Sequence, residues 1–473
     1  MKKTSDKPAA SYISGAASIL VIVLGITVSI IVSGLVLVAE ILYTNTTRTE
    51  NFEKALAVAE AGAQYYRWHL AHNPTDFTDG TGNPGPYIHN LTDPYGNTEG
   101  TFSLTIDPPV TGSSIITIHS QGWITDAPDV KRKIKIKYGI PSFAKYTFLT
   151  NGNLWFGQKD HIYGKVFSNG GIRMDGTHDS TVGSAKATYI CGTETGCDPP
   201  ETKPGVWGDG GPQALWQYPV SSVDFNSVPI DFNFMKNSAV TDGTYLAASG
   251  KSGYHIVFNS DGTYTVSVVT QTTSTGGWSV ENGCETLFQV IKKETVIGTY
   301  PINTKPIIFA EDTLWVEGVV HGKVTVAAVR FPLEVNAMNI WIPGNITYAA
   351  KDGNSSLGII AQNDIYFGLN IPQEFEVDAA LFAQKGRVLR HNYKYTDCKE
   401  PSDAVRQELY IYGSVISNLK SYWSYGQGTS GFGSDPVSGF SQREIIYDPT
   451  LYYSPPPYFP TFGDYEFISW EEE

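Results

Sequence analysis

The chain has 473 residues, too many for one ordinary core, which implies two or three domains or an elongated solenoid. Charged residues make up 17% and aromatics 13%, with 28 Tyr, 47 Gly and 27 Pro, a balance that favours β-structure with many turns. The net charge of −14 argues against a nucleic-acid partner, since phosphate contacts need clustered cations.

Residues 1–14 form a short basic leader with Lys2, Lys3 and Lys7. From Gly15 to Leu42 the only charge is Glu40, and an apolar run of this length predicts a membrane-spanning helix rather than a cleaved signal peptide. Lysines kept in the cytoplasm would place everything beyond about Tyr43 outside, as a single-pass protein. Apolar residues then recur at three- and four-residue spacing: Phe52, Ala55, Leu56, Ala59, Ala63, Tyr66 and Leu70. No Pro interrupts Gly15 to Leu70, so one helix is expected over 15–73, apolar all round at first and then amphipathic.

This region resembles the N-termini of PilX-type minor pilins and related type IV pilus assembly proteins. The residues that carry the resemblance are the basic leader, the small run Gly15, Ala16, Ala17, and the motif Ala59, Glu60, Ala61, Gly62. The small residues of that motif allow close approach of a second segment. The resemblance implies cleavage by a prepilin peptidase after Gly15 and packing among other pilin helices. Leu20 stands where many major pilins carry Glu.

Residues 74–140 are expected to form a loop, dense in Gly, Pro, Asn and Asp over 74–100, and then a small antiparallel sheet. Its strands are TFSLTIDP, SIITIHSQGWIT and VKRKIKIKYGI. The last holds the basic cluster Lys131 to Lys137, whose cations alternate with Ile134 and Ile136 to give a wet basic face.

After Pro141 short strands recur with Gly corners. The octapeptides IYGKVFSN (162–169) and IYGSVISN (411–418) agree at six of eight positions, and LWFGQKDHIYGKV is echoed by LWVEGVVHGKV. Repeated rungs predict a parallel β-helix, with the two octapeptides as an early and a late coil. The expected division is first rungs over 141–184, a projecting insertion over 185–300, further solenoid over 301–420, and an extended Tyr/Pro-rich cap over 421–473. The insertion holds a hairpin turning at Asp261-Gly262. This half resembles an uncharacterised β-solenoid domain that commonly follows PilX-like N-termini. The expected fold class is thus mostly β: a long helix with a small antiparallel sheet, followed by a parallel β-helix with an insertion.

Four cysteines suit an exported chain, and Cys191 and Cys197 bracket a short loop that a disulfide can close. Cys284 and Cys398 are open: paired with each other or free. Asp364, Glu376 and Asp378 are the candidate acids for sugar cleavage, which needs two carboxylates across a cleft. Acids at strand ends more often serve turns, and no cofactor or metal is expected. The Gly/Asp stretch DGTGNPG falls short of a calcium loop and reads as a turn. The favoured function is a minor pilin-like protein whose partners are other pilin subunits, the membrane, and a host surface or glycan. A membrane-anchored carbohydrate-active enzyme and a cell-envelope scaffold are the alternatives.

Overall fold

The computed structural model describes residues 13–110, 112–225, 232–394, 398, 404–426 and 436–473, and the leader 1–12 lies outside them. The chain divides into two units, one holding the N-terminal helix with residues to 107, 117–137 and 467–473, the other holding 108–116 and 138–466.

The first unit is built on α1 (Ile13–His72), a single helix of 60 residues. Strands β1 (Tyr87–Thr92), β2 (Thr98–Asp107), β3 (Ile115–Ile124) and β4 (Ala127–Gly139) follow, with β1–β2 and β2–β3 paired antiparallel. The stretch 74–100 is therefore not all loop: β1 lies inside it, its alternation of buried and open side chains masked by flanking turn residues. The sheet also has a fifth strand, Glu466–Glu472, next to β4. This strand accounts for the basic cluster. Lys135 meets Glu471 at 3.0 Å, Lys133 meets Glu473 at 2.5 Å, and Arg132 pairs with Glu472. The basic face is matched with the acidic C-terminal residues.

The second unit is a solenoid of stacked parallel ladders forming three faces. The first face runs through ten strands among the described residues. In spatial order they are Thr244–Leu246, Ile307–Ala310, Lys323–Ala328, Ser356–Ala361, Glu374–Ala383, Val405–Ser417, Phe148–Thr150, Val166–Ser168, Val182–Ser184 and Trp216–Gln217. Spatial order is not chain order. The coils from 148 to 217 lead away from the middle of the stack. The chain then returns to the far end at 244 and builds back, until 415–417 pairs with 148–150.

The second face carries Leu314–Val320, Ile340–Ile342, Ile365–Phe367 and Val388–Leu389 on one side of this junction, and Leu154–Phe156, Ile172–Met174 and Val206–Trp207 on the other. The third runs from Ile346–Tyr348 through Val377 and Ile411 to Ile445, Ile162 and His178. At the junction one coil is made jointly by Gly439–Tyr447, on the third face, and Phe148–Thr150, on the first.

The octapeptides flank that composite coil. Ile411 and Ile162 are both in register with Ile445, and Val415 and Val166 with Phe148. They are neighbours but one in space, not an early and a late rung. Each glycine turns the corner between the third and first faces at positive φ, +115° for Gly164 and +153° for Gly413. A Cβ on Gly413 would lie 2.0 Å from the Ala379 carbonyl oxygen. The closing asparagines join a ladder across the junction: Asn151 donates to Asn418 at 2.9 Å, and Asn169 donates to Asn151 at 2.8 Å.

Residues 185–300 are not one insertion. Val206–Trp207 and Trp216–Gln217 are rungs, as are Thr244–Leu246 and Gly253–Asn259, the latter pairing in parallel with 314–318. The strands at 217 and 244 stand nine strand spacings, about 43 Å, apart along the first face. On the way α2 (Phe232–Asp242) buries Phe232, Met235 and Ala239 in an outer apolar layer with Leu149, Phe167, Phe309 and Phe382. Nor is 421–473 simply a cap. Gly439–Tyr447 is one side of the junction coil, Leu451 and Phe459 belong to the same outer layer, and the last residues join the first unit's sheet.

Candidate functional site: a helix apolar to solvent, and a solenoid with covered faces

Along the first half of α1 the large apolar side chains from Ile19 to Tyr43 are 49–75% exposed. The helix is long and apolar enough to cross a membrane. Gly15 lies in its first turns.

The second half is used differently. Ala55, Val58, Ala59, Ala63, Tyr66 and Leu70 are buried. Ala59 and Gly62 of the motif bring the helix onto the sheet of its own unit: a Cβ on Gly122 would lie 2.3 Å from the Ala59 amide nitrogen, and one on Gly62 2.5 Å from Ser120 Oγ. The buried Ser120 hydroxyl donates to the Ala59 carbonyl at 2.7 Å. Glu60 is exposed and Ala61 half-buried. The segment that approaches these small residues is thus β3, together with Phe102 of β2.

Beyond the helix, Asp76 accepts from the Thr78 amide and hydroxyl and the Gly80 amide, and contacts His69 at 3.1 Å. The bonds from Thr78 hold its carboxyl down, at about 2. Asp79, the acid of the DGTGNPG stretch, accepts from the Tyr65 hydroxyl at 3.2 Å and contacts His89 at 2.7 Å.

On the solenoid, Cys191 and Cys197 are bonded, with Cα atoms 5.6 Å apart. Their loop leans on the outer side of the second face, where Trp155, Arg173 and Trp207 are in register. The Arg173 guanidinium lies 4.3 Å from the Trp155 ring and 4.9 Å from that of Trp207, and donates to the Thr195 carbonyl. Lys420 donates to the Glu194 carbonyl, and burial lowers its ammonium to about 8.

Farther along the same face lies a long hairpin, Thr263–Ser279 with Gly283–Pro301. Register shifts at Val266, Val269, Gln271 and Thr273 bend it. Trp315 Nε1 donates to the Gln289 carbonyl, and the Leu369 amide to the Gln289 side chain, both at 2.7 Å. Cys284 is bonded to Cys398, which settles the pair the spacing left open. A cavity of about 290 Å³ beneath the hairpin is lined by His255, Glu294, Glu317 and Trp341 among others. His255 sits between Glu294 at 2.8 Å and Glu317 at 3.1 Å. Burial lowers its pKa, and the two carboxylates outweigh burial, so the net shift is upward. Sequence reasoning missed this group because its three members come from distant segments.

A raised pKa means that the contact stabilises fully below the unfolded value of about 6.5 and is lost as pH rises through the folded one. Protection of the amides over 283–301, measured against the intrinsic base-catalysed exchange rate at each pH, is therefore expected to fall on passing from pH 6 to pH 9, and His255→Gln should remove that fall. An unchanged profile in the variant would refute the assignment.

The three candidate acids are not brought to one cleft. Asp364, on the second face, accepts from the Arg387 amide and the Tyr366 hydroxyl, each at 2.9 Å, and burial pushes its carboxyl up. Glu376 and Asp378 are on the third face and share Lys351.

No known family profile matches the chain, and no curated protein matches it. Among solved structures, the crystal structure of the competence-associated pilin ComZ from Thermus thermophilus aligns over 89% of this chain and 98% of that one, at 14% identity and a TM-score of 0.30. A score of that size does not establish a common fold.

Proposed function

We propose that this chain is a membrane-anchored, surface-exposed minor pilin-like protein of a type IV pilus system, with a structural rather than catalytic role in assembly or priming and in adhesion. The observation that carries this reading is the division of α1. Its second half is buried on its own sheet, while its first half keeps an all-round apolar surface that nothing in the chain covers among the described residues. Such a surface is stable in lipid or among like helices, the two environments a pilin helix passes between. The PilX-like leader and small-residue motif fit the same role, with the N-terminus inside and the bulk outside. A solenoid of this size is hard to repeat along a closely packed shaft, which favours a low-copy place at the tip, presenting the solenoid to a host surface or glycan.

The test is a strain expressing the chain without residues 141–465, so that the helix and the first unit's last strand are kept. Attachment is expected to fall more than the yield of sheared filaments. Normal attachment without the protein, with the intact chain found only in the membrane while pili are purified free of it, would overturn the reading.

A further inference from the structure

On the third face a lysine is set between two carboxylates of the next coil. Lys351 follows Ile346–Tyr348, and its ammonium lies 2.9 Å from Glu376 Oε1 and 3.0 Å from Asp378 Oδ1. The two acids flank Val377, which is in register with Ile346. Tyr410 and Tyr412 lie one coil further on, in register with Glu376 and Asp378, and each ring centre is 4.6 Å from the ammonium. The Asp378 side chain is 0% exposed. Its Oδ2 accepts from the Tyr348 amide at 2.8 Å, while Oδ1 has no well-formed hydrogen bond and faces the lysine.

We propose that Lys351 Nζ and Asp378 Cγ become joined by an amide bond, formed inside the folded chain with Glu376 as the proton carrier. A buried ion pair carries a desolvation cost that Coulomb attraction does not always offset, and condensation removes both charges. Holding amine and carboxyl in contact is worth effective molarities of about 10⁵ M or more when the geometry is right. Burial pushes the Asp378 carboxyl up to about 6, against the Tyr348 amide and Lys351, which favours its un-ionised, electrophilic form. Burial works to lower the Lys351 ammonium, and the two carboxylates outweigh it and hold it protonated at rest. The step therefore begins when a Lys351 proton passes through Glu376 to the Asp378 carboxylate, leaving Glu376 ionised. The freed amine attacks Cγ of the protonated Asp378 carboxyl and the C–N bond forms. Glu376 takes the second nitrogen proton and returns one to the departing hydroxyl. The C–O bond breaks and one water leaves, so that an ammonium and a carboxylate have become an amide and water with no oxidant or co-reactant. The product is a covalent staple between adjacent coils. This inference stands on the geometry of the third face and not on the pilus reading.

The test is peptide mass spectrometry of the full-length chain, purified in detergent, reduced and alkylated. With no tryptic cut after Lys351, residues 331–385 are expected as one internally bridged peptide, lighter by one water than the same peptide in linear form. Lys351→Arg, which keeps the ion pair but cannot condense, should abolish the species while the protein stays folded by protease resistance. Glu376→Gln should cut its yield at least tenfold. Asp378→Asn should give the same bridged mass by releasing ammonia instead. Recovery of linear peptides with free Lys351 and Asp378 from the folded wild-type chain, or a linkage mapped to Glu376, would overturn the proposal.

Discussion

Arg443→Ala is expected to destabilise the solenoid by about 3–5 kcal/mol, the usual consequence of stranding one member of a buried ion pair. Arg443 lies on Gly439–Tyr447 and Asp160 on Asp160–Tyr163, the strands that meet where the end of the chain closes against the first coils. The two are in register, 2.5 Å apart, with side chains only 5% and 7% exposed. Arg443 also donates to the Phe440 carbonyl at 2.8 Å. Without the arginine, Asp160 keeps a buried charge with no cation, and the junction opens at low denaturant. Urea unfolding followed by tryptophan fluorescence reads the loss. Asp160→Leu combined with Arg443→Met should recover most of it, since both charges are then gone and the volume is kept. An unchanged midpoint for Arg443→Ala would show that the ladders hold the junction without this pair.

Gly122→Val should be the most damaging single change in the first unit. The first added carbon alone would lie 2.3 Å from the Ala59 amide nitrogen, 2.6 Å from the Ala55 carbonyl oxygen and 2.8 Å from the Val58 carbonyl carbon. All three are helix backbone, which no rotamer change can move. The whole helix must lift, breaking the Ser120 to Ala59 hydrogen bond and opening the apolar layer around Phe102, Leu104 and Ile118. Overpacking costs about 1–3 kcal/mol where side chains can yield, and a backbone clash sits at or above the top of that range. Limited proteolysis between residues 45 and 110 is the readout, with cleavage expected under conditions that spare the native chain. Gly62→Ala is the milder companion, since its Cβ meets the Ser120 hydroxyl and the Phe102 ring, which are side chains. Equal protease resistance of wild type and Gly122→Val would refute the close approach.

Much of this molecule is written locally. A helix needs only its own periodicity and the absence of Pro, so α1 was legible over nearly its full length, including the change at about residue 45 from all-round apolar to one-sided. The rungs were legible for a similar reason: each coil repeats the same corner, and a corner needing positive φ selects glycine, as at Gly164 and Gly413. The strands IIFA, VTVAA and LGIIA also carried a signal that went unread. Strands apolar on both sides are covered on both sides, and the outer layer of α2, Leu451 and Phe459 is what covers them. His255 between its two glutamates had no such local sign, because Glu294 and Glu317 reach it through a bent hairpin and a neighbouring coil.

The sequence by itself determined that this protein has one long two-part helix and a body of short glycine-cornered strands, because helix periodicity, turn chemistry and strand alternation act within a few residues. Only the tertiary structure decided the order in which the coils stack. A parallel ladder accepts any strand of matching register and apolar face, so nothing local says that residue 415 pairs with 148, or that the last residues return to pair with the basic strand. Those choices rest on contacts between residues far apart in the chain: the Asn418–Asn151–Asn169 ladder, the Asp160–Arg443 pair, and Lys133 and Lys135 against Glu473 and Glu471. Their energy exists only once the two ends have met.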